Sequence, residues 1–72
     1  MGNESLKNNI RVFRAKNDWT QEELAKRVGV TRKTINTIEN GVFVPSAYLA
    51  LKIAHVFNAN FEDIFYLDKE EG

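Results

Sequence analysis

Cysteine is absent from these 72 residues, which excludes disulfides, thiolate metal sites and a cysteine nucleophile. Histidine occurs once, at His55, and a lone histidine without a ligand cluster around it is neither a convincing metal site nor a general base. No glycine-rich phosphate loop is present, and Ser5 and Ser46 stand where helix caps are needed rather than beside an activating base. An enzyme is therefore not expected, and neither is a cofactor, a metal or a small-molecule substrate. Long apolar runs are missing as well. Nothing approaches the roughly 18 residues of a membrane span, and no apolar N-terminal segment suggests a signal peptide. The expectation is a cytoplasmic chain with no membrane partner.

Net charge is the last absence, since ten Lys/Arg balance ten Asp/Glu. Its distribution is uneven. Residues 1–41 carry eight basic and five acidic side chains, a net of +3, while residues 42–72 carry two and five, a net of −3. A basic half of this kind suits a polyanion better than the zero total suggests. Hydrophobic content of 43% supports a folded chain, and the length allows one small domain spanning 1–72, with 1–5 and 68–72 expected to fray.

The densest local signal is Thr20–Gly41, TQEELAKRVGVTRKTINTIENG. Thr20 with Glu23 reads as a capping box, and Leu24, Ala25 and Val28 fall on one side of the helix that follows. Gly29 suits the positive φ that often ends a helix, Val30 plugs the turn, and Thr31 caps a second helix. Within that second helix only Ile35 and Ile38 are large and apolar, so it has one narrow buried stripe and a wide polar face. Two short helices joined by a tight turn make a helix-turn-helix.

Around it, Leu6, Ile10 and Phe13 predict an amphipathic helix over 6–16, capped by Ser5 and ended at Asn17-Asp18. Trp19 precedes the Thr20 cap and is expected to fold back on Leu24. After the Val42-Phe43-Val44-Pro45 loop, Ser46 caps a helix over 47–57. Asn60 with Asp63 starts a short fifth helix bearing Phe61, Ile64 and Phe65. No strand-like alternation stands out. The predicted fold is all-α, a compact five-helix bundle with its helix-turn-helix at about residues 20–41.

These residues resemble the Cro/repressor-type helix-turn-helix proteins, the group named after the xenobiotic response element. The resemblance is carried by Gln21, Ala25, Gly29, Ile35 and Ile38 at positions one, five, nine, fifteen and eighteen, with Glu39-Asn40-Gly41 and Pro45-Ser46 following. It covers roughly residues 6–67. It implies double-stranded DNA as partner, with the helix after Thr31 in the major groove. Arg32, Lys33, Asn36 and Thr37 then face base edges, while Gln21, Thr31 and Asn40 meet phosphates. The resemblance also implies a structural ion pair between Arg14 and Glu39.

So small a domain makes few base contacts, so a homodimer on a palindromic operator is expected, with recognition helices about 34 Å apart. A core this size has difficulty burying every apolar residue of the C-terminal half. Leu49, Val56, Phe61, Ile64, Phe65, Tyr66 and Leu67 are therefore the expected dimer surface. The functional expectation is a transcriptional regulator, most simply a repressor. The alternative is an antitoxin or adaptor acting mainly through a protein partner, which a co-purifying protein would favour.

Overall fold

In the computed structural model, which describes residues 4–69, strand β1 (Glu4–Asn8) leads into helix α1 (Ile10–Asn17). Helices α2 (Gln21–Val28), α3 (Arg32–Glu39), α4 (Ala47–Val56) and α5 (Phe61–Ile64) follow, and strand β2 (Phe65–Lys69) closes the order. β1 and β2 form an antiparallel ribbon with Leu6 opposite Leu67 and Asn8 opposite Phe65. Among the described residues no helix is long and apolar enough to cross a membrane.

The ribbon corrects the all-α expectation. Helix does not begin at Leu6, because the Asn8 side chain and the Asn9 N–H bond outside a helical ladder, which starts only at the Asn9 carbonyl accepting from the Phe13 N–H. The Asn8 side-chain oxygen accepts from the Ile10 N–H at 3.2 Å, closing a local turn. The Asn9 backbone N–H donates to the carbonyl of Ile64 at 2.7 Å, so this residue is tied to the far end of the chain. Leu6 keeps its apolar role as a partly buried residue packed on the core, but reaches it from a strand. Ser5 is consequently a strand residue rather than a cap, and Ser5 and Asp68, expected to fray, face each other across the ribbon. The expected ends at 1–3 and 70–72 lie outside the described residues.

Helix boundaries elsewhere follow from their caps. Thr20 Oγ1 accepts from the Glu23 N–H at 3.0 Å, Thr31 Oγ1 from Thr34 N–H at 3.2 Å, and Ser46 Oγ from Leu49 N–H at 3.1 Å. The carboxylate of Glu23 does not complete a capping box. It pairs with Arg27 one turn on, at 2.8 Å, an exposed pair of small energetic weight. Asp18 adopts a left-handed conformation after α1. Trp19 stacks on Phe57, with ring centroids 5.3 Å apart, and carries the Arg27 guanidinium 4.2 Å above its ring. Trp19 is thus packed against the core cluster that contains Leu24 and Phe57.

Ala25, 2% exposed, sits where α2 packs on α3, and its small side chain permits that approach. Leu24, Val28, Ile35, Ile38, Ile53 and Ala54 are buried with it, and Ile10, the first residue of α1, is completely buried. Ile64 and Phe65, assigned from sequence to the dimer surface, are 0% and 1% exposed and belong to this core. The reason is local: α5 is one turn long, and the chain passes straight into β2, which delivers both residues to the cluster rather than to solvent.

Gly29 makes the turn between α2 and α3. Its φ is +91°, and its N–H and that of Val30 both donate to the Ala25 carbonyl, at 2.7 and 3.0 Å. A Cβ there would meet Lys52 Nζ at an ordinary 3.6 Å, so the obstacle to a side chain is conformational rather than steric crowding. Gly29→Ala is expected to cost about 1–2 kcal/mol, seen in thermal denaturation as a fall in Tm of about 5–10 °C.

Candidate nucleic-acid interface

α3 is amphipathic in an unusual proportion, since only Ile35 and Ile38 are buried along its eight residues. Arg32, Lys33 and Asn40 are exposed, and Asn36 and Thr37 are half-buried beside them. Neither Arg32 nor Lys33 takes part in any ion pair among the described residues. The one carboxylate of α3, that of Glu39, is turned inward with its side chain 1% exposed. The outward face of the helix therefore carries positive charge and neutral amides but no carboxylate. Such a face is matched to the major groove, where a carboxylate would meet phosphate repulsion at close range.

The inward turn of Glu39 has a definite cause. Arg14 grips it twice, through Nε to Oε2 at 2.6 Å and through Nη2 to Oε1 at 3.1 Å. The third guanidinium nitrogen, Nη1, donates to the Trp19 carbonyl at 3.0 Å, fixing the fork in place. Arg11 adds a looser and largely exposed contact at 3.6 Å. The Arg14–Glu39 pair thus locks α1 to the C-terminal end of α3.

From this buried pair a line of amides runs to the surface. Gln21 Nε2 donates to Glu39 Oε1 at 3.2 Å, and Gln21 Oε1 accepts from Asn36 Nδ2 at 3.3 Å. Asn36 Oδ1 in turn accepts from Asn40 Nδ2 at 3.2 Å. Gln21 is the first residue of α2, so one side chain joins the N-terminal end of α2 to the middle of α3. The expected base-contacting Asn36 and the expected phosphate-contacting Gln21 and Asn40 are therefore one connected group. Their orientations are set by the scaffold before any ligand arrives. Gln21 also opens α2, and a helix N-terminus of this length is a favourable setting for a phosphate oxygen.

Thr31 and Thr37 behave differently. The Thr31 hydroxyl is occupied as the cap of α3 and shares a 3.0 Å bond with the Thr34 hydroxyl. Thr37 donates its hydroxyl to the Thr34 carbonyl at 2.9 Å. Both hydroxyls are engaged by atoms of α3 or its cap.

The surface assigned to dimerisation divides. Phe61, Tyr66 and Leu67 are exposed, at 39%, 42% and 62%, and with Leu6, Glu62 and Phe65 they line a shallow, mostly apolar cleft of about 410 Å³. Leu49 and Val56 are partly buried, packed on the core from α4. Ile64 and Phe65 are core residues, as described above. Sequence reasoning missed three features of the interface. Asn8 Nδ2 donates to the Ile38 carbonyl at 2.9 Å, which ties the ribbon to the end of α3, and no local pattern announces a contact across thirty residues. Arg11 joins Glu39, a contact its spacing from Arg14 leaves open. The third is the exposed apolar loop after α3, whose Val42, Phe43 and Val44 the sequence shows only as a connection.

With this geometry in hand, the chain's similarities are informative. A helix-turn-helix family model matches residues 10–64. A protein of Archaeoglobus fulgidus named as an uncharacterized HTH-type transcriptional regulator is 59% identical over 66 residues, covering 92% of this chain and 93% of that one. The uncharacterized HTH-type transcriptional regulator YgzD of Bacillus subtilis is 46% identical over 65 residues, covering 90% and 98%. Among solved structures, the transcriptional regulator VanUg superposes with a TM-score of 0.77 at 25% identity, covering 97% of this chain and 92% of VanUg.

Proposed function

This chain belongs to the helix-turn-helix family of DNA-binding transcriptional regulators, and from that premise we propose that it reads a palindromic operator as a homodimer. α3 enters the major groove of each half-site, and occupancy of a promoter makes repression the simplest outcome. The observation that carries this reading is the outward face of α3, which holds Arg32, Lys33, Asn36 and Asn40 with its one carboxylate withdrawn onto Arg14. Arg32 and Lys33, in the first turn, suit guanine O6 and N7, and Asn36 suits adenine. Gln21 and Asn40 flank them as phosphate contacts. Thr31 contributes through its position at the α3 N-terminus, since its hydroxyl is committed as a cap.

The dimer is assigned to the ribbon end, where Phe61, Tyr66 and Leu67 are exposed and Leu49 and Val56 lie half-covered on α4. The Asn8–Ile38 bond supports that assignment, because a ribbon fastened to the end of α3 holds the reading helix at a fixed offset from whatever the ribbon binds.

Selection of bound duplexes from a random pool tests the proposal directly. A two-fold symmetric consensus with half-site centres one helical turn apart is the expected outcome, and recovery of no preferred sequence would overturn it. Affinity should fall steeply between 50 and 200 mM salt, roughly a hundredfold or more for a dimer making several phosphate contacts. Lys33→Ala is expected to weaken the selected site about tenfold and to relax the preference at one base pair in each half-site. A uniform loss across all sequences, with a shallower salt slope, would instead make Lys33 a phosphate contact.

A further inference from the structure

Beside the polar face of α3 lies a second, apolar surface. Gly41, with φ of +75°, reverses the chain so that the N–H groups of Val42 and Phe43 both donate to the Thr37 carbonyl, at 2.9 and 3.2 Å. The loop is thereby folded back along the helix it leaves. Val42 is 78% exposed and Phe43 46%, although nothing in the chain's own core needs them there. Together with Lys33, Thr34 and Thr37 they line an open cleft of about 340 Å³. The Thr37 hydroxyl donates to the Thr34 carbonyl, and the Thr34 hydroxyl is bonded to that of Thr31, so both are engaged within the chain. The lining of the cleft is mostly apolar, with the two loop side chains as its large apolar groups. Among the described residues lining it, Lys33 is the one that carries charge.

We propose that this cleft is a socket for the 5-methyl group of thymine, with Phe43 and Val42 as specificity-determining residues. The proposal rests on the reading of α3 as the groove-entering helix. It follows from what lies within reach of that helix: the thymine methyl is the apolar group on the major-groove edge of a base pair, and the other features there are hydrogen-bond donors and acceptors. The socket is continuous with the polar face through Lys33 and Thr37, which stand one turn apart on α3 and border both surfaces. No carboxylate is among the lining residues, so nothing there repels the DNA that α3 approaches. Base preference is then divided between two chemistries, hydrogen bonding by Arg32, Lys33 and Asn36 and apolar contact by the loop.

The test uses the full chain and the duplex it selects from random DNA, with each thymine replaced singly by deoxyuridine, which removes the methyl and leaves every hydrogen-bonding atom. One or two thymines in each half-site should bind about fourfold more weakly as deoxyuridine, the effect of removing one buried methyl. Phe43→Ser, an exposed position where folding is not at risk, should bind the thymine and deoxyuridine duplexes equally. Two outcomes overturn the socket while leaving the reading of α3 intact: every deoxyuridine duplex binds as tightly as its parent, or Phe43→Ser weakens both duplexes by the same factor. Failure to select any duplex overturns both.

Discussion

Arg14→Ala lowers the stability of this fold by about 3 kcal/mol, the cost of leaving a buried carboxylate without its cation. The side chain of Glu39 is 1% exposed and that of Arg14 15%, so neither group recovers its hydration when the other is removed. The loss includes the bond to the Trp19 carbonyl as well as both bonds to the carboxylate. For a chain of this size it corresponds to a fall in Tm of about 15 °C, measurable by circular dichroism. Arg11 does not substitute for Arg14. It is 71% exposed and 3.6 Å from the carboxylate, and Arg11→Ala should change stability by less than about 1 kcal/mol. The double variant Arg14→Met/Glu39→Leu removes both charges and should be more stable than Arg14→Ala alone. An unchanged Tm in Arg14→Ala would show that the pair does not hold the fold. DNA affinity measured well below Tm should fall as well in Glu39→Ala, because Gln21 loses its acceptor and the Gln21–Asn36–Asn40 line loses its anchor.

That line also shows where sequence stops being informative. The caps Thr20, Thr31 and Ser46, the turn at Gly29 and the buried pair Ile35 and Ile38 are local features, each decided by residues within four positions, and all were legible. Asn40 stands four residues after Asn36, so their contact was implicit in helical spacing. Gln21 to Asn36 and Gln21 to Glu39 were not, since they depend on how closely α2 approaches α3. The ribbon was the largest omission. β1 and β2 pair residues separated by about sixty positions, and five-residue strands carry too little alternation to compete with a helical reading of Leu6, Ile10 and Phe13. The same non-local closure moved Ile64 and Phe65 from an expected surface into the core. Val42 and Phe43 illustrate the opposite case: their apolar character was plain in the sequence, but their fold-back onto Thr37 is visible only in three dimensions.

Leu67→Glu has the largest expected effect on DNA binding, about a hundredfold on a site with two half-sites. Leu67 is 62% exposed and stands opposite Leu6 in the ribbon, at the cleft shared with Phe61 and Tyr66. A carboxylate there leaves the monomer's core untouched, because the buried side chains of this region are Ile64 and Phe65. Across a dimer interface it sets two like charges in an apolar contact, which is destabilising from both desolvation and repulsion. Two linked half-sites gain about 10²–10⁴ in affinity over one when the second contact becomes intramolecular, so monomerisation forfeits at least the lower end of that range. Sedimentation should show the wild-type chain as a dimer and Leu67→Glu as a monomer with the same Tm to within a few degrees. Binding to a single half-site should be alike for both proteins, which separates lost dimerisation from a damaged reading face. If the variant still sediments as a dimer and binds the full site normally, the partner surface lies elsewhere, and the half-covered α4 stripe of Leu49 and Val56 becomes the next position to charge. The ribbon then serves only to brace α3 through Asn8, and its apolar cleft has no part in DNA recognition.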